Sequence, residues 1–93
     1  MAITTGKLYS VKASSTFQIG QTARIELKGT VSLIIYGSEE IQTSVANLTP
    51  VSEAITEDGY YPCDTLPTYI AFIGTADRIN VGGYDLTLIG AIE

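Results

Sequence analysis

The stretch ARIELKGTVSLIIY, residues 23–36, carries the clearest structural signal in this chain of 93 residues. Every second side chain is apolar on both sides of Gly29, and the residues between them are mostly charged or hydroxylated. A period of two is typical of a β-strand with one buried face and fits a helix poorly. We expect a bend or bulge at Gly29 that lets one long strand serve two regions of a sheet. The predicted buried side is formed by Ala23, Ile25, Leu27, Val31, Leu33 and Ile35.

Further strands are predicted on both sides of this stretch. KLYSVKA (7–13) and TFQIG (16–20) precede it, and PTYIAFIG (67–74) follows it with apolar side chains on both faces. A strand of that kind lies in the centre of a sheet or carries a second face that another chain covers. We expect another chain to cover the second face of the strand at 67–74. The segment 40–56 fits strands on either side of Pro50 or a helical turn after it, and strands are preferred.

The C-terminal sequence RINVGGYDL contains two adjacent glycines, Gly82 and Gly83. Such a pair can adopt the positive φ angles of a two-residue β-turn. Pairing Val81 with Tyr84 and Ile79 with Leu86 places apolar residues opposite each other, so a Gly-Gly hairpin is predicted here. Together these patterns predict a single all-β domain over 1–93, an antiparallel β-sandwich of about seven or eight short strands, with residues 1–6 as a flexible N-terminal arm.

The composition argues against several classes of function. The chain has ten acidic and five basic residues, a formal net charge of −5, and the basic residues never form a run, so we expect no nucleic-acid partner. We find no apolar stretch of membrane-spanning length, so we expect no membrane partner. The N-terminus has no signal-peptide pattern, so either the chain stays in the cytoplasm or its precursor has been trimmed, and the initiator Met favours the first. The chain has no histidine and one cysteine, which removes Ser-His-Asp and Cys-His catalysis and the common zinc ligand sets.

The remaining candidate sites are weak. Cys63 lies near Glu57, Asp58 and Asp64, whose negative charges disfavour a reactive thiolate, so a structural role is expected. The acidic residues lack the spacing of a calcium loop, and nothing in the sequence brings two of them together as a glycosidase pair. We therefore predict no catalytic residue, no metal site and no cofactor.

The tyrosines are better candidates for contacts, because an aromatic ring with a polar tip suits protein interfaces and sugar stacking alike. We predict an interface with neighbouring chains on the segment 59–73. Its proposed anchors are Tyr60, Tyr61, Tyr69, Ile70 and Phe72.

The sequence resembles the small β-sandwich structural proteins of tailed bacteriophage virions. The resemblance is carried by Gly59-Tyr60, then Leu66-Pro67-Thr68-Tyr69-Ile70, then the glycine pair at 82–83, and it covers about the C-terminal two-fifths of the chain. It implies a non-enzymatic capsid decoration (cement) protein or a head or tail accessory subunit. Such a subunit would be assembled into virions in the host cytoplasm, bind the major capsid protein or another virion protein, and form homo-oligomers. The alternative is a carbohydrate-binding β-sandwich that uses its surface tyrosines.

Overall fold

The computed structural model describes residues 3–13, 23–63 and 67–93, with the backbone alone at Ala13, Ala23, Pro62 and Cys63. Eight strands within these residues form two antiparallel sheets, which confirms the predicted all-β sandwich. The strands are β1 (Lys7–Ala13), β2 (Ala23–Lys28), β3 (Ser32–Ser38), β4 (Thr49–Pro50), β5 (Gly59–Cys63), β6 (Tyr69–Thr75), β7 (Arg78–Gly82) and β8 (Tyr84–Ala91). One sheet has five strands in the order β4-β3-β6-β1-β8, and the other has three in the order β5-β2-β7.

The main core contains the apolar positions predicted from the period of two. Every residue of the predicted buried side whose side chain is described is buried, and residues of β6 and β7 join the same core. The cluster consists of Ile25, Leu27, Val31, Leu33, Ile35, Ile55, Ile70, Phe72 and Ile79. Because it draws residues from both sheets, its burial is what holds the two layers together.

Gly29 is the corner between the two layers. The bend predicted at Gly29 is present, but the two halves of the stretch do not serve two regions of one sheet, because β2 lies in the three-stranded sheet and β3 in the five-stranded sheet. Gly29 has a φ of 89°, and a Cβ atom at this position would collide with the side chain of Asp77. Asp77 closes the corner: its backbone N–H donates to the carbonyl of Lys28 (3.1 Å), and its Oδ2 accepts from the N–H of Thr30 (3.2 Å).

The second face of β6 is covered by this chain itself, and not by another chain as predicted. Successive side chains of a strand point to opposite faces, so Ala71 points away from the core that holds Ile70 and Phe72. Ala71 is nevertheless fully buried, in a second cluster with Leu8, Leu48 and Ile92. The cover is the segment 43–48, which includes a 3₁₀ turn at Val45–Asn47. Two backbone hydrogen bonds with Glu93 hold this segment in place. The N–H of Val45 donates to the carbonyl of Glu93 (2.8 Å), and the N–H of Glu93 donates to the carbonyl of Thr43 (3.0 Å).

The predicted Gly-Gly hairpin is wrong. Gly82 and Gly83 link two strands in different sheets: β7 pairs with β2, and β8 pairs with β1. The apolar parity was correct, but the partners are nonlocal, since Val81 lies opposite Ile25, and Leu86 lies opposite Val11. Each strand thereby gains a partner in a wide sheet, which buries more apolar surface than an isolated hairpin does.

Two smaller expectations are also corrected. Residues 3–6 are not a free arm, because Thr4 contacts the buried hydroxyl of Tyr9 through its N–H (2.8 Å), and the N–H of Gly6 donates to the carbonyl of Phe72 (2.9 Å). In the segment 40–56, strands were expected on either side of Pro50. The structure has instead the 3₁₀ turn, the two-residue β4 and a single bridge between Leu33 and Ile55. The strand expected at 16–20 lies outside the described residues.

Candidate interaction surface on the three-stranded sheet

The outer face of the three-stranded sheet gathers polar and aromatic side chains from three separate segments. The side chains of β2 that do not enter the core are Arg24, Glu26 and Lys28, because Ile25 and Leu27 are buried on the other side. The registers place Glu26 opposite Tyr60 on one neighbour and Asn80 on the other. We call this set the Tyr60 surface, and it consists of Arg24, Glu26, Lys28, Tyr60, Arg78, Asn80 and Gly82.

Tyr60 is exposed and held in place at the same time. Tyr60 is 60% exposed, yet the Cζ atom of Arg24 lies 5.5 Å from its ring centroid, within cation–π range. Hydrogen bonding of its hydroxyl to the carboxylate of Glu26, together with the negative charge of that carboxylate, raises the pKa of Tyr60. An aromatic side chain fixed on a strand loses little entropy when a partner covers it.

Glu26 is the hydrogen-bonding centre of the surface. The Nδ2 group of Asn80 donates to its Oε1 at 2.9 Å. This bond lowers the pKa of Glu26 most, and hydrogen bonding from Tyr60 lowers it further, because both donors stabilise the ionised carboxylate. The ammonium of Lys28 lies 3.9 Å from Oε2. The carboxylate of Glu26 thus lies between Tyr60 on β5 and Asn80 on β7.

The charge of this surface is opposite to that of the chain as a whole. Three of the five basic residues, Arg24, Lys28 and Arg78, lie on it beside one acid, Glu26. This grouping was not predicted from the sequence, because the three cations are scattered along the chain. The available signal was that Arg24 and Lys28 share a parity on β2, but Arg78 joins them only through the register of β7.

The residues predicted to form one interface do not come together. Tyr60 lies on the outer face of the three-stranded sheet, and Tyr69 lies half-buried against the second cluster on the five-stranded sheet. Tyr61 packs on the main core, with its hydroxyl donating to the carbonyl of Glu57 at 2.5 Å. Ile70 and Phe72 are fully buried between the sheets, so they hold the layers together and offer no surface to a partner.

Two concave places accompany these strands. A cavity of about 200 Å³ adjoins Tyr60, where Gly82 has no side chain and Arg24, Glu26 and Asn80 form the walls. A second cavity of about 480 Å³ lies between Ile35, Tyr61 and the segment 51–57. In that second cavity, the Ser52 hydroxyl already accepts from the N–H of Ile35 (3.0 Å). The cavity beside Tyr60 combines a basic and an acidic group with an exposed ring at its rim, whereas the charged residues that line the second cavity are Glu53 and Glu57.

Within the described residues, no three acidic or cysteine side chains lie close enough together to hold a metal ion. In the same part of the chain, no helix has the length and apolar character needed to cross a membrane. The side chain of Cys63 and all of Asp64 lie outside what the structure describes. Comparison with protein-family models, curated proteins and solved structures finds no match to this chain.

Proposed function

We propose that this protein is a non-enzymatic structural subunit of a virion, a capsid decoration or head–tail accessory protein, that binds a major capsid protein or another virion protein through the Tyr60 surface. The class of protein is supported by the sequence resemblance described above. The observation that carries the choice of surface is the side chain of Tyr60, which is exposed and lies beside Arg24 and Glu26.

The chemistry of the surface indicates the kind of partner. Tyrosine and arginine are among the residues that contribute most to binding energy at protein interfaces. Three cations beside one carboxylate favour an acidic patch on the partner, and complementary charge also speeds association. The Tyr60 ring would supply the apolar contact, and Arg24, Lys28 and Arg78 would set the orientation.

The test uses capsids of the parent phage purified without this subunit, to which the wild-type protein or a variant is added. Bound protein is measured by co-sedimentation. Tyr60→Ala removes the ring and should weaken binding by about 30-fold or more, as expected for a residue at the centre of an interface. Tyr60→Phe keeps the ring but loses the hydrogen bond to Glu26, and should weaken binding less.

The matched control is Ile41→Ala, which truncates another exposed apolar side chain, 57% exposed and outside the strands of either sheet. It should bind capsids as the wild type does. If Tyr60→Ala binds equally well, or if wild-type protein does not bind the capsids, the proposed role of this surface is refuted.

A second candidate function is carbohydrate binding at the same place. The cavity beside Gly82 favours it, because a sugar ring placed there would meet one aromatic face and the hydrogen-bonding groups of Arg24, Glu26 and Asn80. A glycan array separates the two functions. Binding to a defined glycan that is lost in Tyr60→Ala and retained in Ile41→Ala would support the sugar-binding function, and no bound glycan would exclude it.

A further inference from the structure

We propose that the outer edge of β8 is a self-association surface, which pairs antiparallel with β8 of a second copy and joins two five-stranded sheets into one of ten strands. This goes beyond the function proposed above and concerns the opposite sheet from the Tyr60 surface. Among the described residues, β8 ends the five-stranded sheet and forms a ladder only with β1.

A comparison of the four sheet edges singles out β8. Edge strands expose backbone donors and acceptors, and proteins block them with short length, proline or charge. β4 has two residues and includes Pro50, β5 has five residues and includes Pro62, and β7 has only five residues. β8 has eight residues, no proline, and Asp85 as its single charged residue.

The apolar side chains of β8 point to the same conclusion. Leu88 and Ile89 are 43% and 40% exposed, large values for adjacent branched residues within a strand. The register against β1 slips here, since Tyr9 lies opposite Leu88 and Leu8 lies opposite Gly90, so that Ile89 is a bulge. The regular part of the edge therefore ends at Leu88, and Asp85–Leu88 is the segment available for pairing.

A second copy fits this segment, because an antiparallel pair of identical strands can be self-complementary. With Thr87 on the two-fold axis, Leu88 of one copy lies opposite Leu86 of the other, and Asp85 lies beyond these regular pairs, beside the bulge at Ile89. The two Asp85 carboxylates are then four residues apart along the strands, about 13 Å, which avoids a direct clash of like charges.

The symmetry also limits the assembly. A two-fold interface uses the same patch on both copies, so pairing of two β8 edges leaves no further β8 edge exposed. The product is a closed dimer and not an open fibre. Each copy carries a net charge of −5, so the dimer should become tighter as added salt screens the repulsion.

The test is sedimentation equilibrium of the intact chain over a range of protein and salt concentrations. Leu88→Lys places a charge at the centre of the proposed contact, on an already exposed position. Ile41→Lys makes the same chemical change on an exposed residue away from β8. Circular dichroism of both variants shows whether the fold is intact.

We expect wild-type protein and Ile41→Lys to form a dimer with rising concentration and salt, and folded Leu88→Lys to remain a monomer. A wild-type protein that stays monomeric overturns the proposal, as does a dimer that persists in folded Leu88→Lys. If Leu88→Lys does not fold, Thr87→Lys, at another exposed position of the same edge, takes its place with the same expected result. Tyr60→Ala should dimerise as the wild type does, so failure of capsid binding and failure of dimerisation are distinguishable.

Discussion

Replacing Gly29 with alanine tests the corner that sends the chain from one sheet to the other. The backbone at Gly29 has a φ of 89°, and a residue with a Cβ atom loses about 1–2 kcal/mol in such a left-handed conformation. The new Cβ would also displace the Asp77 side chain, whose hydrogen bond from the Thr30 N–H contributes about 0.5–1.5 kcal/mol. We therefore expect Gly29→Ala to lower the free energy of unfolding by about 1.5–3.5 kcal/mol.

Two other glycines serve as controls that separate strain from collision. Gly6 has a φ of 76° with no atom within 4 Å of an added Cβ, so Gly6→Ala should cost about 1–2 kcal/mol from strain alone. At Gly82 the φ is not positive and the nearest atom is the carbonyl oxygen of Arg24, at 3.6 Å. Gly82→Ala should leave stability unchanged or raise it by up to about 1 kcal/mol.

Urea unfolding, followed by circular dichroism and tyrosine fluorescence, measures the three free energies, provided that the slope against urea is the same for all variants. The double variant Gly29→Ala/Asp77→Gly removes every colliding atom, including the Cβ of Asp77, which an alanine at this position would keep. In the Asp77→Gly background, the Gly29→Ala substitution should cost only the strain, about 1–2 kcal/mol. A Gly29→Ala variant no less stable than Gly6→Ala would refute the role assigned to Asp77.

Two further predictions concern the surfaces of the two sheets. In an NMR titration, the pKa of Glu26 should lie below its usual value. Asn80→Ala should raise this pKa more than Tyr60→Phe does, because the hydrogen bond from Asn80 lowers it more. A normal pKa of Glu26 in the wild type would contradict the hydrogen bonding described. Since the folded-state pKa is the lower one, the stabilisation from Glu26 is present above the unfolded-state pKa and is lost as the pH falls through the folded-state pKa. Leu48→Ala should lower the free energy of unfolding in urea by about 2–3 kcal/mol, because it uncovers the second cluster. Ile41→Ala, at an exposed position, should change it little. Equal losses for the two variants would show that the 43–48 segment does not cover β6.

Local patterns predicted the strands well and their partners poorly. The predicted bounds of β1 agree with the structure, and the alternation in residues 23–36 identified the buried side chains correctly, because burial of one strand face leaves a period of two. The glycine pair at 82–83 fits a hairpin or a crossing equally well. Which one forms depends on whether β1 and β2 offer better partners, and this is a property of the whole chain.

The candidate surface was predictable to the same limited extent. Tyr60 could be singled out from its residue type and position after Gly59. Its contacts with Arg24, Glu26 and Asn80 could not, because they arise only when β2 lies between β5 and β7. The second face of β6 was misassigned for a similar reason: the cover around Leu48 is an irregular segment with no periodic signal.

The pairing of β1 with β8 sets the order in which the protein can be completed during synthesis. Residues 7–13 emerge from the ribosome first, but their partner on one side is the last strand of the sheet, at 84–91. Their other partner, β6, is also more than half the chain away. Closing such distant pairs makes folding slow, and the early strands expose their backbone edges while they wait. The five-stranded sheet is therefore complete only after translation has passed Ala91, and until then the edge of β1 that pairs with β8 has no partner strand.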